Sequence, residues 1–467
     1  MRYPFFYPTA RWLAARFPRL LVLDWESFSK EDERELERLL IAVLPPSEAV
    51  WLREVAPTPR EALRVLSGGA RPRRTDAAAL LDAVAAASGG DFQRESAHDR
   101  AAPFYQLLPG RAVPSRTRAC APGSTPVFRA VAPARARPDL AAELKRPPRS
   151  IRDIRGRAAR ELVTLAREAM VTRSRDLDCF SYADWRDVRR IELEDGLELV
   201  AFGSLPDRRL LLSTAYGLLT LRNGVPVGYT QLDGYFSTTL VHFNTFETYR
   251  GADAAWVFAR TLATARALFG SEAFAIEPYQ LGQGNDEALG SGAWWFYAKL
   301  GFRPKDPATR RLARREAARA AANPAYRSSR ETLAALARRH LYWEPLGTPA
   351  LVPPHAAAAR AAAELLAARS GGIDAARVAV AAEVRELLHV GPGTSFNQEE
   401  RLWLERWAPI LLALPRFRAW SASERRSLVP LLRAKAGRRE SLLPHLARAH
   451  PRFAAALREL ARDPRPA

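Results

Sequence analysis

The stretch Arg250-Gly251-Ala252-Asp253-Ala254-Ala255 places small residues where an apolar helical period begins. Backbone N–H groups at a helix N-terminus lack intrahelical acceptors, and the helix dipole adds positive potential there. A diphosphate can use those donors if no side chain stands in the way. Gly251, Ala252, Ala254 and Ala255 leave the backbone accessible, and Arg250 adds charge. Asp253 is the discord: its carboxylate either points away as an acid of the first turn or repels a phosphate. With no ligand, the same residues read as a closely packed helix start with an acid that the dipole favours. Ionisable side chains cluster in the same part of the chain: Asp233, His242, Glu247 and Glu277 could move protons. Tyr297 lies in the aromatic run AWWFYAKL (293–300), where a packed core with Trp294, Trp295, Phe296 and Phe302 is the plain alternative to a chemical role.

These residues need a scaffold, and residues 149–306 carry its signals. IRDI (151–154) reads as a short strand, and Leu162, Leu165, Ala166 and Ala169 mark one face of a helix. Residues 188–203 read as a hairpin turning at Asp195–Gly196. Residues 210–222 and 225–236 form another about Asn223–Gly224, the strongest two-residue hairpin signal. Residues 237–247 alternate as a further strand. That would put His242, Asn244 and Phe246 on one face and Val241, Phe243, Thr245 and Glu247 on the other. A helix over 249–270 with Gly270 as C-cap, a strand over 273–279, a Gly-rich loop over 281–292 and the aromatic helix complete the order.

This order resembles the GCN5-related N-acetyltransferase (GNAT) superfamily, over about a third of the chain. In that family a central strand runs into a Q/R-x-x-G-x-G/A loop that opens a helix, and the matching stretch here is Arg250 to Ala255. The family's end motif is a helix with Ala and Tyr before a Gly-Phe step, matched by Ala293, Tyr297, Gly301 and Phe302. The resemblance implies an α/β (α+β) fold with a central mixed, mostly antiparallel sheet and flanking helices. It implies acetyl-CoA or another acyl-CoA as co-substrate, held by the backbone from Phe246 through Arg250, Gly251, Ala252, Asp253, Ala254 and Ala255. Tyr297 would protonate the leaving thiolate. Glu247 or Glu277 would serve as base toward an amine on a small molecule or protein. The chain departs from the pattern at Asp253, which stands at the first family glycine. It departs again after GFRP, where a helical stretch replaces the expected closing hairpin and RHLYWEPL (339–346) could supply the missing strand, over 340–346.

The remainder is less specific. The first 102 residues read as a mixed α/β or mostly helical domain. RLLVLDW (19–25) is a buried-strand candidate, Ser29 opens a helix stopped by Pro45 and Pro46, and a second helix runs from Thr75 to Gly89–Gly90. Residues 103–148 are Pro/Arg-rich and read as a linker or strap, parts of which pack through Phe104, Tyr105 and Phe128. Residues 307–467 read as a basic helical bundle, with Asn397 and Ser421–Glu424 as caps. Most of the net charge of +20 falls there, and Arg-coated solvated helices are preferred over a nucleic-acid surface. Two cysteines, Cys120 and Cys179, exclude a disulfide scaffold and fit a reducing, cytoplasmic setting. His340, His355, His389, His445 and His450 lack metal-ligand spacing, so no metal is expected, and GPGTS (391–395) reads as a loop and helix cap. No apolar run reaches membrane length, so no membrane partner is expected. The function expected is N-acyl transfer. The alternatives are a catalytically inactive GNAT-like binding or assembly module and, on charge alone, nucleic-acid binding.

Overall fold

The computed structural model describes residues 1–68, 74–128, 137–251, 253–390 and 396–462. Ala252 and residues 391–395, the latter expected from sequence to form a loop and helix cap, lie outside the described residues. The chain divides into two compact units, one of residues 1–122 with 161–182 and one of residues 123–160 with 183–467.

The first unit carries a three-stranded antiparallel sheet of β1 (Arg2–Tyr3), β2 (Leu21–Leu23) and β3 (Tyr105–Leu107), with β3 in the middle. Around it run helices Tyr7–Arg16, Lys30–Val43, Pro46–Val55, Pro59–Leu66, Asp76–Ala86 and Asp91–Ala101. Ser29 and Asp32 form a capping box, and Leu36, Leu39, Leu40 and Val43 bury one face of the helix they open. The core joins these to Leu13, Leu21, Leu80 and Tyr105. The Pro/Arg-rich segment is therefore no simple linker: Tyr105 fills the central strand of this sheet and is fully buried. Phe128, expected to pack, is 91% exposed.

The second unit is a mixed α/β assembly about a nine-stranded, mostly antiparallel sheet. Its strands are β4 (Ser150–Ile154), β5 (Ala183–Glu192), β6 (Leu197–Ser204), β7 (Thr214–Arg222), β8 (Val225–Tyr235), β9 (Thr238–Thr245), β10 (Ala273–Ile276), β11 (Arg303–Pro304) and β12 (Leu341–Trp343). Their order is β11-β12-β10-β9-β8-β7-β6-β5-β4, and β9–β10 is the one parallel neighbour pair among the described residues. Both hairpin turns adopt left-handed backbone at their two central residues, Asp195–Gly196 and Asn223–Gly224. That geometry matches the strand twist and explains the Asp-Gly and Asn-Gly signals. The strand within 340–346 inserts between β10 and β11.

One face of this sheet packs Leu218, Leu232, Val241 and Phe274 against helices Ala254–Phe269 and Ala293–Lys299. The C-terminal helices build a second core with Leu212, Tyr235 and Phe236, in which Trp403 and Trp407 are buried. Their indoles donate to Pro206 O (2.9 Å) and Leu211 O (2.8 Å), so the basic helical region is docked on the sheet unit rather than standing apart. Charges are buried at this junction. Lys435 donates to Ser213 O (2.7 Å) and pairs with Glu440, whose other oxygen lies 3.7 Å from Arg209 Nε. Ser441 N–H donates to the Tyr216 hydroxyl (3.0 Å), which donates to Asp187.

Three boundaries near the candidate site differ from the sequence reading. The expected strand 273–279 stops at Ile276, because Pro278 opens a short helix, Pro278–Leu281, where its missing N–H is harmless. The expected Gly-rich loop holds that helix and another, Asp286–Ser291, which the Asn285 side chain caps by accepting from Ala288 N–H (3.1 Å). The helix expected from 249 begins at Ala254, after a 3-10 turn at Glu247–Tyr249.

Candidate functional site

The parallel ladder between β9 and β10 lasts three residue pairs, Thr238–Ala273, Thr239–Phe274 and Leu240–Ala275. β10 then turns into the Pro278 helix, while β9 continues to Thr245. On its other side β9 stays paired with β8 as far as Thr245–Gly228, and Phe246 N–H donates to Val227 O (2.9 Å). Alternation along a strand then aims the backbone groups of Phe243 and Thr245 away from β8, into the gap. Thr245 O accepts from Arg250 Nε (3.4 Å), and the Phe243 backbone groups meet no strand on that side among the described residues. The gap is thus a short open strand edge inside a sheet.

At the end of β9 the chain reaches the start of the helix Ala254–Phe269. A Cβ added to Gly251 would meet nothing within 4 Å, and Ala255 N–H finds no acceptor among the described residues. The Asp253 side chain does not cap this helix. It accepts from Arg222 at the end of β7 (2.7 Å), and the Arg222 guanidinium also stacks over Trp256 at 5.5 Å. Of the sequence alternatives for Asp253, the carboxylate is the one drawn aside. Arg250, expected to add charge for a phosphate, pairs instead with Glu287 of the capped helix 286–291. Phe246 is buried against Tyr229, with its N–H given to Val227 and its carbonyl accepting from Tyr249 N–H (2.8 Å). Its backbone therefore offers no free donor to a cofactor.

The face of β9 that carries His242 and Asn244 is opposite to the Val241 and Phe243 face, as alternation requires. His242 Nε2 lies 3.2 Å from Asp233 Oδ2 and its Nδ1 lies 3.8 Å from Glu277 Oε2. β8 supplies Asp233, directly diagonal to His242, and the turn out of β10 supplies Glu277 at the N-cap of the Pro278 helix. Burial alone would push the His242 imidazole down, but the Asp233 hydrogen bond and the charges of Asp233 and Glu277 raise it. His340 and His355 feel Glu277 as well, but burial holds both below the ordinary histidine value. Such a carboxylate–imidazole–carboxylate chain can pass a proton, with either acid holding the ring in place. Glu247 does not join it: it sits exposed in the 3-10 turn.

Tyr297 is on the other face of the sheet, 3% exposed among Phe258, Phe296 and Phe302. Burial raises its phenol, so the group stays protonated at neutral pH. No hydrogen bond to its hydroxyl occurs among the described residues. Tertiary contacts thus bring together Asp233, His242 and Glu277, and leave Glu247 aside. Sequence reasoning missed the partners Arg222 and Glu287, which decide what Asp253 and Arg250 do. The one local hint was the position of Arg222 beside the Asn223–Gly224 turn, where a strand-end side chain can reach a neighbouring helix start.

No group of three or more His, Cys, Asp or Glu placed to hold a metal occurs among the described residues, and no helix there is long and apolar enough to cross a membrane. Comparison with protein-family models, curated proteins and solved structures finds no match to this chain.

Proposed function

We propose that the second unit is an acyl-CoA-dependent N-acyltransferase of GNAT-like fold, most simply an acetyltransferase acting on an amine of a small molecule or protein. The observation that carries this reading is the β9–β10 ladder, which stops after three pairs and leaves a strand edge open beside a helix start. A pantetheine arm has amides that can add to such an edge as a further strand would. Its diphosphate would then meet the helix start at Gly251, where the backbone is uncovered. The amine nitrogen attacks the thioester carbonyl, the C–N bond forms and the C–S bond breaks. The ammonium proton leaves toward Glu277 and His242 on one face of the sheet; Tyr297, buried on the other face, would give its proton to the departing thiolate through the open β9–β10 gap.

One observation favours the alternative of a non-catalytic GNAT-like module. Arg250 is paired with Glu287 rather than left for a phosphate, and the Asp253 carboxylate, paired with Arg222, stands where the family has its first glycine. Titration with acetyl-CoA by calorimetry and thermal shift separates the two, because a ligand at about 100 times its Kd stabilises the native state by about 2.7 kcal/mol. The parent protein is expected to bind and its melting temperature to rise, and Asp253→Gly to bind as well or better. No heat and no shift in the parent, with binding gained in Asp253→Gly, would establish the non-catalytic reading.

A further inference from the structure

The aromatic helix Ala293–Lys299 has two working faces. Residues 293, 296, 297 and 300 turn toward the sheet core, where Tyr297 lies. Residues 294, 295, 298 and 299 lie on its other side, as 3.6-residue periodicity requires, with Trp294 still part of the same buried cluster. They wall a cavity of about 570 Å³ that is closed on its far side by the helix Pro307–Ala322.

The walls of this cavity are apolar and aromatic, with Trp294, Trp295, Phe302 and Ala313 among them. Trp294 is 2% exposed, and its indole Nε1 is buried with no hydrogen-bond partner. The rim carries Lys299, Arg303, Arg310 and Arg314, and no acid lines the cavity. Arg303 is held flat by the carbonyls of Ala298 (2.6 Å) and Phe302 (2.8 Å), and Arg310 by Lys305 O (3.1 Å). Those bonds orient the guanidinium groups without neutralising them. Lys299 and Arg314 make no ion pair among the described residues. A solvated basic helix needs no such hollow beneath it. Four cations of one sign over a low-dielectric aromatic pocket focus a positive potential into it. Flat rings stack on Trp and on Arg, while planar anions take paired N–H donors from guanidinium.

We propose that this cavity is a binding site for a small ligand that joins a flat aromatic ring to a phosphate or carboxylate group. The ring packs on Trp295, Ala298 and Ala313, above the buried Trp294 and Phe302, and the anion stays at the rim against Lys299 and Arg314. The cavity shares Phe302 with the packing of Tyr297, but ligand binding there requires no acyl transfer, so the proposal stands independently of that reading. A ligand there would bear on the same helix from behind.

The test is calorimetric titration of the full chain with phenyl phosphate and benzoate, which share the ring and differ in the anion. Inorganic phosphate supplies the charge without the ring, and benzyl alcohol the ring without the charge. Saturable binding is expected for one or both ring-bearing anions, with each control weaker by roughly tenfold or more. Preference between the two identifies the anion class. The Lys299→Ala/Arg314→Ala variant, which changes only exposed side chains, is expected to weaken binding by roughly tenfold. Ala313→Phe, which fills the cavity and spares every charge, is expected to abolish it. Binding of inorganic phosphate as tight as that of phenyl phosphate overturns the proposal, as do unchanged affinities in both variants or no binding of any probe to the folded parent.

Discussion

Lys435 offers a sharp physical test of how the C-terminal helices are joined to the sheet. Its ammonium is fully buried, pairs with Glu440, donates to Ser213 O and lies 4.7 Å from the Trp403 ring centre. Burial pushes it down to about 8 from its ordinary 10.5, against the opposing pull of Glu440. The unfolded chain therefore binds more protons than the folded one between these two values, and stability rises with pH across that window. At about 1.4 kcal/mol per unit, the rise attributable to Lys435 amounts to about 3 kcal/mol. Lys435→Met removes this titration. At neutral pH it also leaves Glu440 with Arg209 alone, at 3.7 Å, and is expected to cost about 3–5 kcal/mol. The assay is urea unfolding followed by tryptophan fluorescence, from about pH 7 to about pH 10. The stability of the parent minus that of the variant should grow with pH, since other groups, the raised Tyr216 included, titrate in both proteins. Parallel pH profiles for the two proteins would refute the reasoning.

Other expected outcomes follow from single groups. Asp176 is buried among Thr9, Ser181 and the Phe6 N–H, and burial raises its carboxyl to about 6. Its stabilising contribution is thus full below its ordinary 3.8 and is lost as pH rises through about 6, so Asp176→Asn should flatten the stability of the first unit across that range by about 3 kcal/mol. Asp233→Asn removes the main partner that raises His242, so the imidazole titration followed by NMR should move to lower pH; an unmoved titration would show that the 3.2 Å contact does not form in solution. Tyr297→Phe deletes a hydroxyl that has no partner among the described residues, so unfolding free energy should change by less than about 1 kcal/mol while any acyl-transfer rate falls by about 100-fold or more. Equal rates for the two proteins would remove Tyr297 from the mechanism.

The local chemistry of the chain determined much of this molecule. Asn223–Gly224 and Asp195–Gly196 demand left-handed backbone, and both hairpins form there. Ser29, Asn397 and Ser421 each sit one residue before their helices and accept from the backbone N–H three residues on. Alternation in 238–245 already divided His242 and Asn244 from Val241 and Phe243, because side chains alternate across a strand whatever surrounds it.

Which of those two faces would be polar was not a local matter. It depended on helices Ala254–Phe269 and Ala293–Lys299 covering the Phe243 side, and on Asp233 and Glu277 arriving from β8 and the end of β10. Glu247 and Glu277 look alike as letters, but the early end of β10 brings Glu277 to His242, while the 3-10 turn after β9 leaves Glu247 in solvent. Asp253 and Arg250 likewise took their meaning from Arg222 and Glu287, tens of residues away in the chain. Turns, caps and alternation act over two to four neighbouring residues and are written in the order of the side chains. Ion pairing and burial act through space, so they waited on which strand lay beside which.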